Sequence, residues 1–204
     1  MTIFSRLIDK SWETPGNSNP ADPHSYRPSA GTVGLFVYFA VAVVMFSLLT
    51  ATYVMRMGLH SVMDHGGGSD WVPMPDPPLL WINSAILVVS SIAWEAARHA
   101  ARSGAQGRAM QVSYVGTVLG LAFLCGQWLL WRQYQASGYY LSANPAYAFF
   151  YLLTALHGCH IVGGLVAAGR ALGARNLRNI GLCAIYWHFL LLIWILLAAL
   201  LVTT

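Results

Sequence analysis

Five long apolar stretches constrain the fold of this chain more than any other feature. They lie at about 32–55, 79–100, 112–134, 145–168 and 180–202. Each is near the roughly 20 residues that a helix needs to cross a bilayer. Only 9% of the 204 residues are charged, whereas soluble domains average about 25%. The sequence therefore predicts an all-α, polytopic membrane protein whose five transmembrane helices form one bundle over residues 31–204.

Basic residues are distributed unequally between the two sides of this bundle. One side carries nine of the 11 lysines and arginines, namely Arg6, Lys10, Arg27, Arg98, Arg102, Arg108, Arg170, Arg175 and Arg178. The other side has only Arg56 and Arg132. Because cytoplasmic loops carry the excess of lysine and arginine, we expect a cytoplasmic N-terminus and a periplasmic C-terminus. Residues 1–30 are polar, contain no apolar segment, and are expected to form a cytoplasmic tail rather than a cleaved signal peptide.

Two groups of side chains raise the question of metal or thiol chemistry. Asp64 and His65 lie in the loop between the first two spans and could bind a metal ion, but a solvated surface loop is favoured. The three cysteines, Cys125, Cys159 and Cys183, all lie within apolar spans, and no two form a CxxC pair. Buried free thiols are therefore expected.

Aromatic residues mark the predicted external end of the third span. They are Trp128, Trp131, Tyr139 and Tyr140. Amphipathic rings concentrate at the level of the lipid head groups, so this cluster is typical of a membrane interface.

Glu95 is the only carboxylate near a predicted span, late in the second one. Arg98 follows at i+3 and His99 at i+4, a spacing that allows an ion pair within one helix. An intramembrane carboxylate can also serve a proton route. The ion pair is the favoured interpretation.

The fourth span combines two histidines with a ridge of small residues. His157 and His160 are three residues apart and lie near each other on one helix face. The ridge recurs every fourth residue and consists of Ala155, Cys159, Gly163 and Ala167. Small residues at this spacing allow another membrane helix to approach closely. The sequence therefore predicts that this face packs against protein.

His160 and His188 are expected at similar depth, roughly 12 Å from the cytoplasmic ends of the last two spans. Two facing histidines could ligate a b-type haem. Alternatively, each imidazole bonds a neighbouring helix or a lipid head group, because a buried imidazole needs a partner. The second interpretation is favoured, since the sequence has no CxxCH motif and few histidines on its spans.

Several motifs in order along the chain match a known family. The strongest are 154–164 (TALHGCHIVGG) and 186–189 (YWHF) followed by Trp194. Supporting ones are Met45-Phe46, Asn83-Ser84, Ser90-Ser91 and Gln127. With these motifs the chain resembles subunit III of the haem–copper terminal oxidases (cytochrome c oxidase and cytochrome o-type quinol oxidase), in the short five-helix bacterial form.

The resemblance implies an accessory, noncatalytic subunit without haem, copper or another metal of its own. It would lie in the bacterial cytoplasmic (inner) membrane beside the catalytic subunit I, which holds the haem and copper, and near subunit II. That hetero-oligomeric complex reduces oxygen to water and pumps protons. The subunit would hold phospholipid and bind no nucleic acid. The resemblance assigns helix packing or lipid contact to His157, His160, Gly163, Gly164, Trp187 and His188.

The chain also departs from the family pattern. Val43, Leu130 and the run 190–192 stand where the family usually has carboxylates, and Glu95 stands where it usually has none. We therefore expect Glu95 to replace part of the lost acidic function, and Glu95, Arg98 and His99 are the candidates for a proton route or an ion pair. The alternatives are an accessory subunit of a nitric oxide reductase and a b-haem protein using His160 and His188. A small transporter is disfavoured by the few buried charges and the absence of an internal repeat.

Overall fold

The described part of the chain is almost entirely helical. The computed structural model describes residues 29–63, 75, 77–174 and 177–203. Its helices are α1 (Ala30–Met63), α2 (Pro78–Arg102), α3 (Gln106–Ala136), α4 (Pro145–Gly173) and α5 (Leu177–Val202). Within these ranges there is no strand, and all five helices are long and apolar enough to cross a membrane. The predicted all-α fold with five spans is confirmed.

The helices extend beyond the apolar stretches that revealed them. For example, α3 begins at Gln106 rather than at about 112, and α1 continues to Met63. Apolar character marks only the part of a helix inside the hydrocarbon, whereas backbone hydrogen bonding continues into the polar surface layer. The predicted tail, 1–30, is described only from residue 29 onward, and Asp64 and His65 lie outside the described residues.

Local signals fix where helices begin and how the chain turns. The Asn144 side chain accepts a hydrogen bond of 2.8 Å from the Ala146 amide, and Pro145 occupies the first turn of α4 as predicted. Gly104 and Gly138 follow α2 and α3 with φ of 75° and 88°. This left-handed conformation favours glycine and lets each helix reverse into the next. We call the two ends of the bundle the α2–α3 end and the α3–α4 end.

Hydrogen bonds between helices show that α2 runs antiparallel to α3. Asn83 Nδ2 donates to Gln127 Oε1 over 3.3 Å toward the α3–α4 end. Ser90 Oγ donates to the Gly116 carbonyl over 2.8 Å toward the α2–α3 end. As residue numbers increase along α2, the residue numbers of their partners on α3 decrease. The sequence of α2 therefore supplies polar partners at two levels of its contact with α3.

The centre of the bundle contains the large indole rings of Trp94, Trp187 and Trp194, each less than 2% exposed. Trp94 and Trp187 lie against each other, with ring centroids 5.2 Å apart. A Cβ at Gly120 would lie 2.7 Å from Trp187 Cζ2. Only a glycine lets the indole lie directly on the α3 backbone at this point.

The first helix, α1, lies at the edge of the bundle. Its outward face carries Phe36, Val41, Leu48 and Met55, all more than half exposed within the chain. Its inward face meets α5 through Phe39, whose ring stacks on Phe189 with centroids 4.1 Å apart. An exposed face this apolar fits a lipid-facing helix.

Candidate functional site

The polar side chains of α2 form a continuous seam against α3 and α5. Trp194 Nε1 donates to Ser84 Oγ over 2.9 Å, and Trp187 Nε1 donates to Ser90 Oγ over 2.8 Å. Ser84 and Ser90 each pass their own hydrogen to a backbone carbonyl. The motif residues of α2 therefore hold the two tryptophans of α5 in fixed positions.

His157 lies at the centre of the bundle in an aromatic cage. It is 0% exposed and faces the rings of Trp194, Phe123 and Phe46 at centroid distances of 5.2, 6.0 and 6.5 Å. Neither ring nitrogen has a hydrogen-bond partner within the described part of the chain. Its ring contacts link α4 to α1, α3 and α5.

His160 and His188 have different neighbours in the structure. His160 Nδ1 lies 2.7 Å from the Leu156 carbonyl, and its ring faces Tyr38 of α1. His188 Nδ1 lies 2.7 Å from the Ala184 carbonyl, and its Nε2 faces Glu95 of α2 at 3.8 Å. In each ring Nδ1 must donate to its carbonyl. His160 thus lies against α1, whereas His188 faces α2.

Glu95 is the centre of a small charged cluster near the α2–α3 end. Its Oε1 lies 2.8 Å from Arg98 Nη2 and 3.2 Å from His99 Nε2. The ion pair expected from the spacing is therefore present. Its Oε2 faces His188 on α5 at 3.8 Å, so the cluster joins two helices. Sequence reasoning missed this link, although the antiparallel run of α2 and α5 gives both residues similar depth.

Most of the ridge of small residues on α4 lies open in the described structure. Cys159, Gly163 and Ala167 are exposed. The close approach is instead at Gly164, where a Cβ would lie 2.6 Å from Tyr186 Cε1. The spacing correctly predicted a helix with a small-residue face, but the contact lies one residue further round α4.

The observed burial changes the expectation for two of the three cysteines. Cys183 is a buried free thiol as expected, whereas Cys125 and Cys159 are free but exposed, because they lie on outward helix faces. Val43 is 44% exposed on α1, and Leu130 is 0% exposed in the core. Val43 thus lies on an outward face and Leu130 in the apolar interior.

An apolar cleft of about 280 Å³ lies between α1, α4 and α5. Gly163 lines it on α4, and Tyr38 and Tyr186 line it on α1 and α5. The Tyr186 hydroxyl donates to the His160 carbonyl over 2.7 Å and lies 3.3 Å from that of Tyr38. His160 and Gly163 thus lie beside an opening of suitable size for part of an acyl chain.

These observations define the chain as a five-helix membrane bundle whose functional candidates are packing residues, a charged cluster and apolar clefts. Within the described ranges, no group of three or more His, Cys, Asp or Glu side chains could hold a metal ion. No protein-family model matches the sequence.

Curated relatives identify the kind of complex to which such a bundle is related. The chain is 28% identical over 181 residues to "Cytochrome bo(3) ubiquinol oxidase subunit 3" of Pseudomonas aeruginosa, with 84% of each chain covered. It is 27% identical over 198 residues to "Cytochrome c oxidase subunit 3" of Thermostichus vulcanus, covering 93% of this chain and 94% of the relative. It is 24% identical over 190 residues to "Probable quinol oxidase subunit 3" of Staphylococcus aureus, covering 88% and 91%. These homologues confirm the resemblance to oxidase subunit III over most of the chain.

Proposed function

We propose that this chain is the accessory, noncatalytic subunit III of a respiratory haem–copper oxidase. The observation that carries the proposal is the match to three oxidase subunits over 84% or more of both partners. The names of these relatives favour an oxidase over a nitric oxide reductase. The chain would sit in a bacterial inner membrane, with its N-terminus in the cytoplasm, beside subunits I and II. Haem and copper would lie in those partners.

The internal geometry supports a structural role. His157 is enclosed by aromatic rings, and His160 and His188 are each bonded to their own helix. Their arrangement suits a rigid bundle that stabilises a larger catalytic subunit. The cleft lined by Gly163 is our candidate for the phospholipid that such a subunit would hold.

The Glu95 cluster supports contact with a partner at one particular face. The side chains of Glu95 and His188 are 27% and 47% exposed within the isolated chain. Glu95 precedes Arg102, the last residue of α2, by about 10 Å of helix, so its carboxylate lies near the inner edge of the interfacial layer. Charged groups facing lipid are unfavourable. We therefore place a partner subunit over this face.

The same cluster suits a proton-holding role. His188 donates through Nδ1 to Ala184, so a neutral ring would present its Nε2 lone pair to the Glu95 carboxylate. The contact becomes attractive when a proton lies on Nε2 or on the carboxyl group. On this proposal, Glu95 compensates for part of the acidic function that other subunits III have and this chain lacks.

Affinity purification tests the oxidase assignment. The full chain, tagged and extracted from its own membranes in mild detergent, should bring down a large subunit whose reduced-minus-oxidised spectrum shows haem and whose metal analysis shows copper. The chain stripped of that partner should show no haem absorbance. Recovery of the chain alone, or with haem bound to it, would refute the proposal.

A further inference from the structure

A second cleft, between α3 and α4, is lined in part by a buried amide that no described residue satisfies. The cleft has a volume of about 390 Å³ and is lined mainly by apolar atoms. Its lining includes Leu124, Gln127, Trp131, Thr154, Gly158 and Cys159. It is separate from the Gly163 cleft, which lies between α4, α1 and α5.

The hydrogen-bond donors and acceptors of the polar side chains in this cleft can be matched one by one. Trp131 Nε1 donates to Thr154 Oγ1 over 3.2 Å, and Thr154 passes its hydrogen to the Phe150 carbonyl over 2.7 Å. Gln127 is only 3% exposed, and its Oε1 accepts from Asn83. Its Nε2 has no partner among the described residues. Whichever way the carboxamide is turned, one of its polar atoms is left over.

The position of Gln127 indicates what can satisfy it. It lies one helical turn, about 6 Å, inside Trp131, which belongs to the aromatic cluster at the α3–α4 end. Rings of this kind sit at the level of the head groups. Trp128 and Val162, which also line the cleft, are 55% and 49% exposed, so the cleft opens outward. Just inside the head groups of a bilayer, the abundant acceptors are the ester carbonyls of phospholipids.

We propose that the α3–α4 cleft binds one phospholipid, whose ester carbonyl accepts a hydrogen bond from the Gln127 amide. One acyl chain lies along Gly158 and Val162 toward the middle of the membrane. The half-buried Gly158 leaves room for it, because a Cβ there meets only Leu124 at 3.8 Å. The inference depends on the membrane location of the chain but not on its assignment to an oxidase.

Competition between two lipids tests the hydrogen bond. The full chain, purified in mild detergent, is incubated with equal amounts of diester phosphatidylglycerol and its diether analogue, which lacks the carbonyls. Retained lipid is counted by native mass spectrometry. We expect the diester to be retained about fivefold over the diether, as one hydrogen bond implies. In Gln127→Met this preference should disappear.

A matched pair of glycine variants tests the location. Gly158→Leu fills the cleft and should lower the number of retained lipids by one and remove the preference for the diester, while lipid in the Gly163 cleft stays bound. Gly169→Leu makes the same change on the same helix at an exposed position with nothing within 4 Å, and should retain lipid as the unmodified chain does. If Gln127→Met fails to fold because its bond to Asn83 is lost, this pair of glycine variants still tests whether lipid occupies the cleft.

Three outcomes would overturn the proposal. The first is equal retention of diester and diether lipid by the unmodified chain. The second is unchanged lipid retention by Gly158→Leu. The third is crosslinking of Cys159 to a helix of another subunit in the intact complex, since that would show that protein and not lipid fills the cleft.

Discussion

At the scale of single residues, Trp187 contacts three other helices, which its sequence motif did not indicate. Its indole N–H binds Ser90 of α2, and its ring lies on Gly120 of α3 and near Gly164 of α4. The ring is fully buried, so each of these contacts excludes lipid and water. One side chain of α5 therefore fixes the spacing of three other helices.

Replacing Trp187 with phenylalanine should destabilise the chain by about 2 kcal/mol, because a hydrogen bond is lost and part of the ring volume becomes a cavity. Thermal unfolding in detergent measures the effect. The matched control is Trp81→Phe on α2, whose ring is 58% exposed; its effect should stay within about 0.5 kcal/mol. Equal effects at the two positions would contradict the role given to Trp187.

The Glu95→Gln variant should slow proton uptake and shorten the active life of the oxidase, since the charge that faces Arg98 and His188 is removed. Oxygen consumption and proton uptake by the reconstituted complex are the measurements. His99→Gln serves as the control, because the His99 side chain is 71% exposed and should matter less. If Glu95→Gln left turnover, proton uptake and inactivation unchanged, Glu95 would have no proton role.

At the scale of elements, α4 shows how two faces of one helix divide the work. The buried face, with His157 and Gly164, meets aromatic rings of the bundle. The neighbouring face, with Cys159 and Gly163, borders the two clefts. One face of α4 thus packs closely against the bundle, and the neighbouring face borders the clefts proposed to hold lipid.

Alanine substitutions on α4 separate these faces. Gly164→Ala should destabilise the chain by about 1–3 kcal/mol, because the new Cβ would lie 2.6 Å from Tyr186 Cε1 and 3.1 Å from Trp187 Cζ3. Gly169→Ala, with open space around it, should be neutral or slightly stabilising. Chemical unfolding of the two variants in the same detergent measures the difference. A neutral Gly164→Ala would show that the tyrosine and tryptophan rings move aside easily.

The sequence predicted the five spans and the Glu95–Arg98 pair well, because length, apolar composition and i+3 spacing are local properties. It placed the close-packing face of α4 one residue away from the observed contact, since spacing alone does not say which face meets which helix. The link from Glu95 to His188 and the unsatisfied amide of Gln127 depend on how α2, α3 and α5 pack. Such contacts between distant segments have no local signature.

At the scale of the whole molecule, the buried hydrogen bonds and the exposed apolar surface lie in different parts of the bundle. The seam between α2, α3 and α5 carries the buried hydrogen bonds, while α1 presents an apolar face at the edge. Glu95 and the two clefts lie on outer surfaces of the same bundle. This arrangement suits a subunit that supports a neighbour and organises lipid around it.

The most direct test of this account compares the proposed oxidase purified with and without this chain. Oxygen consumption is followed over many turnovers, and haem is counted per catalytic subunit. The account predicts equal haem content and a similar initial rate, followed by faster loss of activity in the complex that lacks the chain. Loss of haem or of the initial rate would show a catalytic role, and an unchanged time course would show no stabilising one.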